Sequence, residues 1–153
     1  MFLSVTTTHR PATDLGYLLR KNPARMHETE LSFGRALTVY PEASEDRCTA
    51  ALVLDVDPIG LVRGKGDAGG LMDQYVNDRP YAASSFLSVA MGRAWREAIA
   101  GQSKDRQALA DAAIPLAASV TPLPARGGAD LVRDLFAPLG YEVTVEPIAL
   151  DPV

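Results

Sequence analysis

The chain has 153 residues, with 15 lysines and arginines against 19 aspartates and glutamates, for a net charge of −4. Hydrophobic residues make up 47% and charged residues 22%, the proportions of a globular domain and not of a disordered chain. These figures exclude a whole-molecule basic field for nucleic acid, a lone Cys48 excludes an internal disulfide, and no apolar run approaches the roughly 18 residues of a membrane helix.

Met1-Phe2-Leu3-Ser4-Val5 lacks a basic leader region and turns polar at Thr6, so it does not read as a signal peptide. With the single cysteine, this makes the expectation a soluble cytoplasmic protein with no membrane association. Phe2 to Thr8 alternates and is β-branched, which predicts a strand. Thr13-Asp14 opens a short helix whose Leu15, Leu18 and Leu19 share one face, and Asn22-Pro23 stops it. His27 to Phe33 and Arg35 to Tyr40 favour strand on either side of Gly34 and predict a hairpin turning there. Cys48 to Val56 is nearly continuous in apolar residues and reads as a central strand buried on both faces, ended by Asp57-Pro58.

Gly60 to Gly70 holds five glycines and reads as a loop, followed by one or two helical turns over Leu71 to Val76. Pro80 stands at the start of the longest helix, about Tyr81 to Ala100. Its apolar stripe is Phe86, Leu87, Ala90, Met91, Ala94, Trp95, Ala98 and Ile99, and Gly101 closes it. A short helix over Lys104 to Ala110, a strand over Ile114 to Leu123 and a helix over Ala129 to Leu139 follow, with Pro138 disrupting the last turn. Tyr141 to Ile148 alternates again and reads as a final strand. The order β-α-β-β-β-α-β-α-β predicts a single domain over residues 1–153, α+β or α/β, with a mixed sheet and helices packed on it.

Few patterns carry chemistry. Gly64 to Gly69 matches G-x-G-x-x-G, but it does not directly follow a strand, and no acidic residue stands near twenty positions onward. It reads as a surface loop. Lys65-Gly66-Asp67 resembles a nucleotidyltransferase lysine motif but lacks the next glycine, and a glycine loop offers nothing to lower a lysine pKa. Asp55 and Asp57 share a strand face and have the chemistry to hold a divalent cation, although a strand leaving the core explains them better. His9, His27 and Cys48 have no metal-ligand spacing, and Ser84 and Ser85 have no base to activate them.

Two polar clusters remain as candidate binding residues. His9, Arg10, Lys21 and Arg25 flank the first helix and suit a phosphate or an acidic partner. Asn77, Asp78, Arg79 and Tyr81 enter the long helix, where Asn77 or Asp78 would cap it and Arg79 and Tyr81 are of the types that dominate interface hot spots.

Two long stretches carry a resemblance: Thr6-Thr7-Thr8-His9-Arg10-Pro11-Ala12-Thr13-Asp14-Leu15-Gly16-Tyr17-Leu18-Leu19-Arg20-Lys21-Asn22-Pro23-Ala24-Arg25, and Tyr75-Val76-Asn77-Asp78-Arg79-Pro80-Tyr81-Ala82-Ala83-Ser84-Ser85-Phe86-Leu87-Ser88-Val89-Ala90. With Tyr40-Pro41-Glu42-Ala43 and Ala50 to Pro58, the chain resembles the N-terminal domain of the bacterial 3′-terminal RNA ribose 2′-O-methyltransferases of the RNA-repair operon. The resemblance implies a non-catalytic module that binds a polynucleotide kinase–phosphatase–ligase and promotes its self-adenylylation. The alternative it leaves open is a module that presents RNA 3′ ends to the methyltransferase domain. It implies no cofactor in this chain. S-adenosylmethionine and a divalent metal belong to the methyltransferase domain, which family members carry beyond the point matching Val153.

Overall fold

The computed structural model describes residues 1–57 and 81–148, with side chains of the second stretch from Ser85 onward. In chain order the elements are β1 (Phe2–Thr7), a 3-10 turn (Ala12–Asp14), α1 (Leu15–Leu19), β2 (His27–Leu31), β3 (Gly34–Ala43) and β4 (Cys48–Val56). Then come α2 (Tyr81–Ala94), α3 (Arg96–Ile99), α4 (Gln107–Ala110), β5 (Leu116–Thr121), α5 (Gly128–Phe136) and a 3-10 turn (Ala137–Leu139). The expected loop over Gly60 to Gly70, the turns over Leu71 to Val76, and Asn77, Asp78 and Arg79 lie outside the described residues.

The sheet runs β2-β3-β4-β1-β5. It is the α+β alternative of the sequence reading, but every ladder is antiparallel, where that reading has a mixed sheet. A parallel pair needs a crossover, and β2, β3 and β4 are instead joined by short turns.

The backbone direction of every strand follows from two bonds. The Leu54 N–H donates to the Met1 carbonyl at 3.1 Å, and the Asp57 N–H donates to the Phe33 carbonyl at 2.9 Å. In an antiparallel ladder hydrogen-bonded pairs alternate. Leu3, Val5 and Thr7 therefore bond β4, while Phe2, Ser4 and Thr6 bond Thr121, Ser119 and Ala117 of β5. On the other side Gly34, Ala36 and Thr38 bond Leu31, Thr29 and His27.

The first compact unit is Met1–Pro122. Its core joins Leu3, Ala36, Ala50, Leu52 and Leu54 of the sheet to Leu15, Leu19, Leu87, Ala90, Ala94 and Trp95 of the helical side. β4 is central as expected, and its Cys48, Ala50, Ala51 and Leu52 are each fully shielded from solvent. The hairpin turns through Ser32-Phe33, one position ahead of the expected Gly34. Phe33 is buried and stacks on Phe86 of α2 at 4.4 Å between ring centroids. Gly34 holds φ +141, and a Cβ there would stand 2.2 Å from the Asp55 carbonyl oxygen, so the close approach of β3 to β4 requires glycine.

The long helix is not continuous. It breaks at Trp95, with φ −121 and ψ 34, and resumes as α3. The break falls where the indole is held in the core, its Nε1–H donating to the Thr38 hydroxyl at 3.1 Å. Gly101 takes φ +65 after α3, as a terminating glycine should.

The second compact unit is Leu123–Val153. α5 stops before Pro138, and Gly140 takes φ +87 after the 3-10 turn. Phe136 meets Tyr141 edge-on, with centroids 6.0 Å apart. Tyr141 to Ile148, expected as a strand, is in no ladder. Alternation supplies only the pattern; a strand also needs a neighbour to take up its N–H and C=O groups, and none is described within this unit.

Candidate partner-binding surface

The sequence places His9 and Arg10 where β1 leaves the sheet. Thr7, almost wholly buried, organises that exit: its hydroxyl donates to the Pro115 carbonyl at 2.8 Å and accepts the His9 N–H at 3.2 Å. Arg10 is exposed and ion-paired with Asp46 of the β3–β4 turn. The neighbouring Ala12 N–H donates to the Glu45 carbonyl at 2.8 Å. The exit is thus tied to the adjacent turn, and the Arg10 charge is already matched.

Lys21 and Arg25 occupy the connection from α1 to β2. Arg20 ends α1 in the left-handed region, φ 53, and pairs with Glu97. The Lys21 carbonyl accepts the Tyr40 hydroxyl at 3.0 Å, which fixes the connection against β3. Burial, and then the charge of nearby Cys48, push the Tyr40 phenol well above its usual range. Asn22 shapes the rest, accepting the Ala24 N–H on Oδ1 at 2.9 Å and the Arg25 N–H on its carbonyl at 3.1 Å. The side chain of Arg25 is exposed, and that of Lys21 half-buried. Among the described residues no hydrogen bond or ion pair joins His9 and Arg10 to Lys21 and Arg25. The four do not form one charged patch. Tyr81 is the first residue of α2.

Sequence reasoning missed a contact beside α1. The Arg106 guanidinium donates to Asp14 Oδ2 at 3.1 Å and lies 4.6 Å over the Tyr17 ring. Ninety-two positions separate Arg106 from Asp14, so no local pattern announces the pair. Asp55, weighed as half of a cation site, accepts the Arg35 Nε–H at 2.9 Å, and Glu28 lies on the other side of Arg35. The bond to Asp55 and the charge of Glu28 raise the Arg35 pKa. A carboxylate so engaged is part of an ion-pair ladder across β2, β3 and β4. Among the described residues no three His, Cys, Asp or Glu side chains cluster as metal ligands, and no helix is long and apolar enough to cross a membrane.

The remaining accessible feature is main chain. β5 is exposed along all six residues and carries no charge, Leu116-Ala117-Ala118-Ser119-Val120-Thr121. The opposite edge strand, β2, is half-buried and carries Glu28 and Glu30.

The family model described as RNA repair, ligase-Pnkp-associating, region of Hen1 matches residues 1–153. No curated protein matches the chain.

Proposed function

The chain belongs to the Hen1_L family, the ligase-Pnkp-associating region of Hen1 in RNA repair, and from that premise we propose that it is a non-catalytic module that binds a kinase–phosphatase–ligase and activates its ligase. The observation that carries this reading is the match of the whole chain to a region described by its association with that partner. The described side chains fit a binding role. Asp55 is engaged by Arg35, Arg10 by Asp46, Arg20 by Glu97 and Asp14 by Arg106, an arrangement that builds a surface and sets up no acid–base pair. S-adenosylmethionine and metal chemistry, in this reading, belong to a methyltransferase domain, and the site of action is the cytoplasm.

RNA is the weaker ligand. Two of the arginines near α1 are already matched by carboxylates, and the net charge is −4. The test is co-purification with the kinase–phosphatase–ligase of the same organism, followed by a ligase self-adenylylation assay with ATP. Co-elution with increased adenylylated ligase is the expected result. A partner that elutes alone, with unchanged adenylylation, refutes the reading.

A further inference from the structure

We propose that the open edge of β5 is the docking site for an extended segment of the ligase-bearing partner, which adds a sixth strand to the sheet; this rests on the association with that partner. The argument begins with the ladder parity. Ala117, Ser119 and Thr121 spend their backbone groups on β1, so the N–H and C=O of Leu116, Ala118 and Val120 point to the open edge. At the other edge the same parity turns Glu28 and Glu30 outward. The two edges differ in protection. Outward backbone at β2 belongs to two glutamates, which repel an incoming acidic or apolar strand and keep it hydrated. Outward backbone at β5 belongs to leucine, alanine and valine.

β5 also lacks the other devices that blunt an edge. It holds no lysine, no internal proline and no bulge against β1, and its register is continuous over six pairs. Pro115 and Pro122 bound it and set the length that a partner strand can match. The Thr7 hydroxyl bond to the Pro115 carbonyl fixes its near end. Leu116 is 57% exposed and Val120 37% exposed, so each offers an apolar side chain next to the free backbone groups. Strand addition takes affinity from main-chain bonds and selectivity from alternate side chains, and β5 presents both. With no charge on β5, the matching segment is an extended, predominantly uncharged strand with β-branched or aromatic residues at alternate positions.

The test uses the full chain, the ligase-bearing partner of the same organism and three substitutions. Ala118→Pro removes the middle outward N–H and puts a ring in the path of the partner, while leaving the bonds to β1 intact. Ala118→Lys keeps the N–H but charges the edge, and it is the variant to read if the proline lowers the melting temperature. Glu30→Pro is the same operation at the other edge. The expected result is a loss of partner affinity of about tenfold or more for both Ala118 variants, with unchanged melting and wild-type affinity for Glu30→Pro. Hydrogen exchange of the wild-type complex should slow at Leu116, Ala118 and Val120, the amides that exchange freely in the isolated chain. Wild-type affinity in Ala118→Lys, or no slowing at these three amides, overturns the docking site and leaves the ligase association standing. Self-association that Ala118→Pro abolishes, with partner affinity unchanged, assigns the edge to a second copy and also overturns it. Failure of the wild-type chain to bind the partner overturns the proposal and the association together.

Discussion

Thr38 and Trp95 form a buried polar pair between β3 and the break after α2, and the cost of disrupting it is predictable. Thr38 is fully buried, so Thr38→Val leaves the indole N–H without a partner. The expected loss is about 1–3 kcal/mol in urea unfolding, the desolvation cost of an orphaned donor. Tyr40 and Cys48 give the protein an alkaline limit. Both groups are neutral when protonated, and burial raises both pKa values in the folded state. Folding then costs nothing at neutral pH. As pH rises through the ordinary thiol and phenol ranges, near 9 and 10, the unfolded chain ionises first and gains stability, so the folded state weakens with each further increase. Melting temperatures should therefore fall above about pH 9. Tyr40→Phe should flatten the upper part of that fall, at the expense of the hydroxyl bond to Lys21. A melt that falls as steeply in Tyr40→Phe as in wild type counts against the assignment.

The elements were read from sequence where periodicity and burial agree. β1, β3 and β4 alternate or run apolar because the sheet buries them, and α2 shows its stripe because Leu87, Ala90 and Ala94 face the core. Reading fails where the deciding contact is remote. Trp95 looks like one more residue of a helical stripe, and only its bond to Thr38, 57 positions away, marks the break. Tyr141 to Ile148 has the pattern of a strand, and pattern cannot supply a ladder. The accessible backbone of β5 was equally hidden, because parity is a property of three paired strands and not of any one segment. The turn into β3 offers the sharpest element-scale test. Gly34→Ala adds a Cβ against backbone atoms of β4 at a positive φ, so neither neighbour can rotate away. The expected loss is at least about 1–3 kcal/mol, with the β3–β4 amides most exposed to exchange.

For the whole molecule, the charge balance and the family set the expectations. Calorimetry of the isolated chain with S-adenosylmethionine should give no isotherm, because the reading gives that ligand to another domain. A clear low-micromolar isotherm would refute it. Single-stranded RNA should bind weakly and lose affinity with salt, but along a shallow slope, since few unmatched cations are available to release counterions.

The position of β1 has a kinetic consequence. The first strand made lies between β4 and β5, with partners about 50 and 115 positions further along. β2, β3 and β4 pair through short turns and close little loop on doing so, whereas β1 must close a long one before any pairing rewards it. On a ribosome the N-terminal strand emerges first and waits for Cys48 to Val56, and β5 waits longer still. In refolding with pulsed exchange, amides of the β2–β4 meander should gain protection first, those of β1 next, and Ala117, Ser119 and Thr121 last. Simultaneous protection of β5 and the meander would show that the sheet assembles in one step.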